Sequence, residues 1–192
     1  MILASASPRR KELLERAGFE LSIEPADVDE TRLPQEAPVH LVERLSRLKA
    51  QAALDAHGPL QPDEILLAAD TIVWTGDDVL GKPHDAQDAI RMLRELSGRT
   101  HHVSTGVCLV RVLPDGATAT ESFVETTDVS FRALTDYEIM AYVATGEPMD
   151  KAGAYAIQGG AGSFVYDIVG DYDNVVGLPV KRIKDLIDAS GA

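Results

Sequence analysis

Helical and strand-like segments alternate along this chain, but two neighbouring β segments are long and are joined by a tight turn. They run from about residue 102 to residue 112 and from about residue 119 to residue 131, with Pro114-Asp115-Gly116 between them. Alternating helices and strands are typical of a parallel sheet, whereas a hairpin is an antiparallel pair. We therefore predict an α/β fold with a mixed, twisted sheet flanked by helices.

Hydrophobic periodicity and helix-capping residues locate the other elements. Strands are predicted at residues 2–5, 19–23, 65–69 and 164–169, with a second hairpin formed by residues 72–74 and 79–80. Helices are predicted at residues 8–17, 38–56, 86–97, 136–144 and 178–187. The strand at 65–69 is expected to end at Asp70-Thr71. The second helix is expected to bury Leu41, Val42, Leu45, Leu48 and Ala52.

The chain has 192 residues, of which 45% are hydrophobic, and a formal net charge of −13. This size supports one domain over residues 1–192, with two lobes and a cleft between them as an open alternative. An acidic surface repels a phosphate backbone, so we expect no nucleic-acid polymer as a partner. The single cysteine, Cys108, excludes a disulfide framework, and no apolar run could span a membrane. We expect an intracellular protein that binds no membrane.

The segment from Ser5 to Lys11 places three cations in the first turn of a helix, after Ser7 as its N-cap. The helix dipole disfavours cations there, and a position that breaks a local rule often marks a functional site. Free backbone N–H groups, serine hydroxyls and the pair Arg9 and Arg10 together form a site suited to a polyphosphate. The alternative is a solvated basic patch on the surface.

Asp70 and Thr71 follow a predicted buried strand, at the kind of strand end where α/β folds place ligand-binding groups. An aspartate there can bind a metal ion or activate water, or it can simply cap a turn. Lys82 lies between Gly81 and Pro83, which would orient its ammonium towards a phosphate or leave it in an exposed turn. Both Asp70 and Lys82 are therefore candidates for phosphate chemistry.

Further candidates are Glu30 in an acidic loop, Lys49 on the second helix, the pair Asp150-Lys151, and Gln158 beside two glycines. The Gln158 amide could read a base, and the charged residues could equally be ordinary surface groups. The sequence contains no P-loop, no dinucleotide-binding glycine motif, no histidine and cysteine cluster of the zinc type, and no serine-hydrolase motif. These absences exclude several common nucleotide-binding and hydrolase signatures.

Taken in order, the motifs resemble the Maf family of nucleotide pyrophosphatases over nearly the whole chain. They are the opening Leu3-Ala4-Ser5-Ala6-Ser7-Pro8-Arg9-Arg10, the tripeptides Ala69-Asp70-Thr71 and Gly81-Lys82-Pro83, the block Asp150-Lys151-Ala152-Gly153-Ala154-Tyr155, and the ending Val175-Val176-Gly177-Leu178-Pro179. The resemblance implies an elongated α/β fold related to inosine triphosphate pyrophosphatases. It also implies Asp70 as proton acceptor, and a role in septum formation.

Within the family, the block from Asp150 to Gln158 resembles the branch that acts on dTTP and UTP, with Ala156 where glycine is common. Arg9, Thr71 and Gln158 match positions linked to pyrimidine preference. Two alternatives stay open: the same chemistry on 7-methyl-GTP or another non-standard nucleotide, and a nucleotide-binding regulator of septum formation without catalysis.

The resulting hypothesis is a cytoplasmic hydrolase that cuts the α–β phosphoanhydride bond of a small-molecule nucleoside triphosphate. Catalysis is assigned to Asp70, Glu30 and Lys82, and a Mg²⁺ or Mn²⁺ ion to Asp70 and Glu30. Substrate binding is assigned to Ser7, Arg9, Arg10, Lys49, Thr71, Asp150, Lys151 and Gln158. Gln158 would offer a donor and an acceptor to the O4 and N3–H edge of uracil or thymine. A homodimer is left open.

Overall fold

The computed structural model describes residues 1–189, so the last three residues of the predicted 1–192 domain lie outside the described residues. The strands are β1 (Ile2–Leu3), β2 (Ser22–Ile23), β3 (Ile65–Thr75), β4 (Asp78–Leu80), β5 (Thr100–Val112), β6 (Thr118–Phe131) and β7 (Val165–Val169). The helices are α1 (Pro8–Arg16), α2 (Pro38–His57), α3 (Ala86–Leu96), α4 (Asp136–Ala144), α5 (Tyr172–Val176) and α6 (Val180–Ala189). Among these residues, no helix combines the length and the apolar character that a membrane span requires.

The described strands form one mixed sheet of seven strands in the order β2-β1-β3-β5-β6-β7, with β4 paired to β3. Strand β1 runs parallel to both of its neighbours, with Ile2 opposite Ser22 on one side and Leu66 on the other. Strand β4 is antiparallel to β3, and β7 is antiparallel to β6. Parallel and antiparallel pairs occur together, which confirms the predicted mixed α/β sheet flanked by helices.

Strand β3 differs from the prediction, because it does not end at Asp70 but runs without a break to Thr75. The prediction of two separate strands, at 65–69 and 72–74, was wrong. A carboxylate normally ends a buried strand because its desolvation is costly. Here the Asp70 Oδ1 atom lies 2.6 Å from the Lys49 Nζ atom, so the charge is compensated inside the strand.

Two smaller predictions also fail. Leu48 was expected in the buried stripe of α2 but is 42% exposed. The alternation of residues 19–23 was expected to form a strand, but only Ser22–Ile23 is a strand, and both residues are exposed because β2 is at the sheet edge. The last helix begins at Val180, and the short helix α5 before it was not predicted.

The chain divides into two compact units. Unit 1 comprises Met1–Asp70, Thr105–Glu125 and the chain from Gly177 onward, and unit 2 comprises Thr71–Ser104 and Thr126–Val176. Because β3, β5 and β6 are long, each contributes residues to both units.

One hydrophobic cluster in the core of unit 1 is formed mainly by side chains of β1, α2, β3 and β5. Its buried members are Ile2, Ala4, Ala50, Ala53, Leu66, Ala68, Cys108 and Val110. Burial raises the pKa of the Cys108 thiol to about 11, as expected for an inert core cysteine. Gly106 on β5 lies against α2 so closely that an added Cβ would be 2.1 Å from the Val42 carbonyl oxygen. Glycine is therefore required where this helix crosses the strand.

The core of unit 2 is formed mainly by α3 and α4 with the unit 2 portions of the sheet. The buried members include Val73, Ala89, Leu93, Leu96, Val103, Val129, Phe131, Ile139, Val143 and Phe164. Helix α4 begins with the predicted capping box, in which Thr135 and Glu138 each accept a hydrogen bond from the other's backbone N–H. The capping box fixes where α4 starts, and thereby where its far end meets the glycine-rich segment, residues 146–162.

Candidate active site

The start of α1 has the predicted N-cap. The Arg10 N–H donates to Ser7 Oγ at 3.4 Å, Pro8 occupies the first turn, and no acidic residue is present there. The Ser7 N–H in turn donates to Ser5 Oγ at 3.3 Å. Arg9 is half-buried and Arg10 is buried. The two arginines therefore differ in environment although they are neighbours in sequence.

The Arg10 guanidinium is bound to the protein itself. Its Nη1 atom donates to the Ala69 carbonyl at 2.8 Å and to Ser5 Oγ at 3.1 Å, and Nε donates to the Gly177 carbonyl at 2.9 Å. Burial lowers the Arg10 pKa from its usual value, and the negative charge of Asp70 opposes that shift. Arg10 therefore links three chain segments beside Asp70: the residues before α1, the middle of β3, and the residues between α5 and α6.

Three charged side chains meet in unit 1. The Lys49 Nζ atom lies 2.6 Å from Asp70 Oδ1 and 2.6 Å from Glu30 Oε1. The Lys49 and Asp70 side chains are only 12% and 11% exposed, whereas the Glu30 side chain is 60% exposed. In a buried ion pair with an exposed carboxylate beside it, a charged ligand can replace one of the protein groups as the partner of the others.

The burial of Lys49 explains the failed prediction for Leu48. The buried residues of α2 are Pro38, Leu41, Val42, Leu45, Ser46, Ala50 and Ala53. Position 49 follows 45 and 46 at helical spacing, so the lysine continues the buried stripe and Leu48 lies beside it. The spacing of Lys49 from Leu45 and Ser46 is the signal in the sequence that could have indicated its burial, but the prediction gave that place in the stripe to Leu48.

The oxygen atoms in this cluster determine which metal ions it could hold. Among the described residues, no group of three or more His, Cys, Asp or Glu side chains is placed to hold a metal ion. Asp70 and Glu30 supply carboxylates alone, and both lie at hydrogen-bonding distance from one ammonium. Such a pair suits a hard divalent cation that takes its other ligands from water and phosphate.

In unit 2, the segments that carry Lys82 and the block from Asp150 are joined through the backbone. The Gly153 N–H donates to the Gly81 carbonyl at 3.1 Å. A Cβ on Gly153 would lie 2.8 Å from a Val73 methyl group, so this approach requires glycine, with φ at +67°. Lys82 is exposed, and the Lys151 ammonium pairs with the carboxylate of its neighbour Asp150.

The two other predicted residues of unit 2 lie apart from these in sequence and differ in exposure. Thr71 is half-buried at the point where unit 2 begins, directly after Asp70. Gln158 is exposed in the glycine-rich segment between two short 3₁₀ turns. Within unit 1 the structure brings Arg10, Lys49, Glu30 and Asp70 together.

The family model described as Maf-like protein matches residues 1–190. This chain belongs to the Maf-like family. It is 50% identical over 191 residues to the dTTP/UTP pyrophosphatase of Anaeromyxobacter dehalogenans (strain 2CP-C), covering all of this chain and 94% of that protein. The corresponding proteins of Geobacter sp. (strain M21) and Hahella chejuensis (strain KCTC 2396) are each 49% identical over 100% of this Maf-like chain and over 96% and 92% of their own lengths.

Solved structures of more distant proteins resemble the fold of this Maf-like chain. The Ham1 protein of Staphylococcus aureus superposes with a TM-score of 0.54 at 15% identity, covering 98% of this chain and 97% of that one. The HAM1 protein of Coxiella burnetii gives 0.51 at 14% identity and covers 98% of both chains. At such low identity the likeness concerns the fold, and it confirms the predicted fold class.

Proposed function

We propose that this Maf-like chain is a nucleotide diphosphatase that hydrolyses dTTP and UTP to the monophosphate and pyrophosphate. Support comes from the three relatives named above, which are at least 49% identical over 92% or more of their own lengths. The structural observation that carries the proposal is the cluster of Lys49, Asp70 and Glu30, with both carboxylates 2.6 Å from one ammonium.

Hydrolysis at the α-phosphorus needs an aligned water molecule, charge neutralisation and a leaving pyrophosphate. Asp70 accepts a proton from the water molecule while the oxygen of that water bonds to the α-phosphorus. The bond from that phosphorus to the bridging oxygen breaks, and pyrophosphate leaves with the electron pair. Lys49 holds the Asp70 carboxylate in one place and compensates its charge while the substrate is absent.

The donor set in this cluster fits the predicted divalent metal. Mg²⁺ is usually bound through one or two carboxylates together with substrate phosphates, so either Asp70 and Glu30 would both hold it, or Glu30 alone would hold it while Asp70 serves as the base. Glu30 is the more exposed of the two, so it can turn from Lys49 towards another cation. When bound, Mg²⁺ or Mn²⁺ would stabilise the charge that develops on the phosphate oxygens.

The other site residues of the proposal rest on the sequence pattern. Arg9, Arg10, Lys49 and Lys82 are proposed to surround the phosphates, with Ser7 beside them, whereas Thr71, Asp150 and Lys151 are proposed as further substrate-binding residues. Gln158 is proposed to read the pyrimidine edge, because an amide can both donate to O4 and accept from N3–H, a pattern that cytosine reverses. A cytoplasmic location and a homodimer also remain predictions.

The test is product analysis over a nucleotide panel. The purified chain is incubated with dTTP, UTP, CTP, GTP and 7-methyl-GTP, with Mg²⁺, with Mn²⁺, and with a chelator. We expect monophosphate and pyrophosphate in equal amounts from dTTP and UTP, slower turnover of CTP, and no turnover with the chelator. Release of inorganic phosphate and a diphosphate would contradict the assigned bond, and preferred turnover of 7-methyl-GTP would contradict the assigned base. Binding of the nucleotides without turnover would favour the alternative of a non-catalytic, nucleotide-binding regulator of septum formation.

A further inference from the structure

Gln158 lies at the exposed tip of a turn whose backbone is held on both sides. The turn closes with a hydrogen bond from the Gly159 N–H to the Ala156 carbonyl at 3.0 Å. Its first residue, Ala156, donates its N–H to the Tyr142 hydroxyl at 3.0 Å. Beyond the tip, the Gly160 N–H donates to Glu147 Oε1 at 3.1 Å. The turn is therefore attached to α4 and to the residues that follow it.

Tyr142 and Glu147 form one connected anchor. The Tyr142 hydroxyl donates to Glu147 Oε1 at 2.7 Å while it accepts from Ala156. Its ring is buried and packs edge-on against Phe164, with the ring centroids 5.3 Å apart. Burial, and then the hydrogen bond to Glu147, raise the pKa of the tyrosine, so the hydroxyl stays a donor at neutral pH. The core of unit 2 therefore holds the Tyr142 ring, and the Tyr142 hydroxyl in turn holds the Glu147 carboxylate.

The fit between Glu147 and the turn leaves no spare room. An added Cβ on Gly159 would lie 2.1 Å from Glu147 Oε1, and one on Gly160 would lie 3.3 Å from the Tyr142 ring. The two glycines thus let the turn lie directly on the carboxylate and the ring. A carboxylate suits this place because it only accepts, and here it receives one O–H and one N–H.

We propose that Glu147, with Tyr142 as its partner, is a positioning residue that sets base selectivity by fixing the turn that carries Gln158. This inference rests on the proposed function, in which Gln158 contacts the base. Glu147 itself contacts the turn backbone and acts through Gln158. Selection among bases by one amide requires its position to be held within a fraction of an ångström, which a loop tip cannot provide alone.

The experiment measures the ratio of kcat/KM for dTTP to that for CTP in five proteins: the wild type, Glu147→Ala, Glu147→Gln, Gln158→Ala, and the double variant of Glu147→Ala with Gln158→Ala. We expect Glu147→Ala to lower the ratio about tenfold, the order of one lost hydrogen bond to a charged acceptor. Glu147→Gln keeps one acceptor oxygen and should give an intermediate ratio. In the double variant, loss of Glu147 should change the ratio no further than Gln158→Ala alone.

Two further variants separate positioning from general destabilisation. Glu138→Gln removes the same charge from the other end of α4, where Glu138 accepts from Thr135 and Arg132. It should lower the melting temperature and leave the base ratio unchanged. Tyr142→Phe keeps the packing but removes the hydroxyl, and should lower the ratio as Glu147→Ala does. Hydrogen exchange at the Gly160 amide, which needs no substrate, should accelerate in Glu147→Ala and stay slow in Glu138→Gln.

The outcomes distinguish this inference from the function on which it rests. If Gln158→Ala lowers the ratio and Glu147→Ala does not, the positioning role is wrong and the proposed function stands. If Glu147→Ala lowers the ratio equally with and without Gln158, Glu147 acts by another route and the inference is also wrong. If the wild type hydrolyses neither dTTP nor UTP, the proposed function fails, and base selection by Glu147 fails with it.

Discussion

Two carboxylates, one in each unit, have opposite kinds of partner. Asp70 in unit 1 faces the Lys49 ammonium and lies within the electrostatic range of Arg10. Glu147 in unit 2 accepts from a hydroxyl and a backbone N–H, both neutral. A carboxylate paired with a lysine ammonium can exchange that ammonium for another cation, such as a metal ion. Neutral donors instead hold the carboxylate in one position. This contrast supports the catalytic role that we propose for Asp70 and the positioning role that we propose for Glu147.

The largest expected effect that follows from this contrast is at Asp70. Asp70→Asn keeps the shape of the side chain but removes the proton acceptor, so kcat for dTTP should fall by about a thousandfold or more. Release of pyrophosphate from dTTP measures the change. Asp55→Asn, which removes a charge from the exposed face of α2, is the matched control and should leave kcat unchanged. A kcat for Asp70→Asn near that of the control would remove Asp70 from the mechanism.

The next effect concerns how Lys49 is brought to Asp70. A Cβ at position 106 would lie 2.1 Å from the Val42 carbonyl oxygen and 2.5 Å from its carbon, and neither backbone atom can move without moving α2. Gly106→Ala should lower the free energy of unfolding by about 3 kcal/mol, measured by urea denaturation. Gly81→Ala is the control, because nothing lies within 4 Å of its added Cβ. Equal stability of the two variants would mean that α2 can leave β5 at little cost.

Sequence alone predicted the elements whose signals are local. The capping box at Thr135, the N-cap at Ser7 and the long hairpin follow from short motifs, and the structure has each of them, with β5 and β6 as neighbours in the sheet. The continuity of β3 through Asp70 could not be predicted in this way. It depends on a partner, Lys49, that is 21 residues away in the chain and on another element.

In the candidate site, too, the sequence predicted what depends on local signals and not what depends on tertiary contacts. Residue types indicated which side chains carry charge, but burial decides their roles, and burial is a tertiary property. Arg10 was predicted as a substrate contact, and its role stays a prediction. Its guanidinium contacts two backbone carbonyls in residues distant along the chain, at Ala69 and Gly177. The sequence did not indicate Glu147 as a functional residue, because a glutamate after a helix is common.

The two units also differ in the pKa of a histidine that each contains. Burial lowers the pKa of His101 in unit 2 to about 4, whereas the hydrogen bond to Glu24 raises the pKa of His57 in unit 1. His101 contacts Tyr155 through its Nε2 atom at 2.9 Å, and among the described residues its Nδ1 atom has no hydrogen-bond partner. Charging this ring inside the core is therefore unfavourable.

The two histidines change the stability of the fold with pH in opposite directions. Between pH 6.5 and about 4 the unfolded state binds a proton at His101 and the folded state does not, so stability falls as the pH falls through this window. The loss should reach about 2 to 3 kcal/mol. His57 instead adds stability below pH 6.5, and this is lost as the pH rises through its folded pKa. Urea denaturation from pH 7.5 to 4 should show a smaller fall for His101→Phe than for the wild type. An unchanged fall would assign the acid sensitivity to other groups.

The smallest expected effect on stability is at Gly159, and it contrasts with Gly106. Both added Cβ atoms would lie 2.1 Å from an oxygen, but at Gly159 that oxygen belongs to the tip of the Glu147 side chain. A flexible carboxylate can swing aside, so Gly159→Ala should cost about 1 kcal/mol, the order of the hydrogen bonds that it breaks. The displaced carboxylate then no longer holds the Gly160 N–H, so the ratio of kcat/KM for dTTP to that for CTP should fall. A loss of stability as large as that of Gly106→Ala would show that the turn is fixed by its backbone packing. The contrast in how the two carboxylates act would then no longer hold.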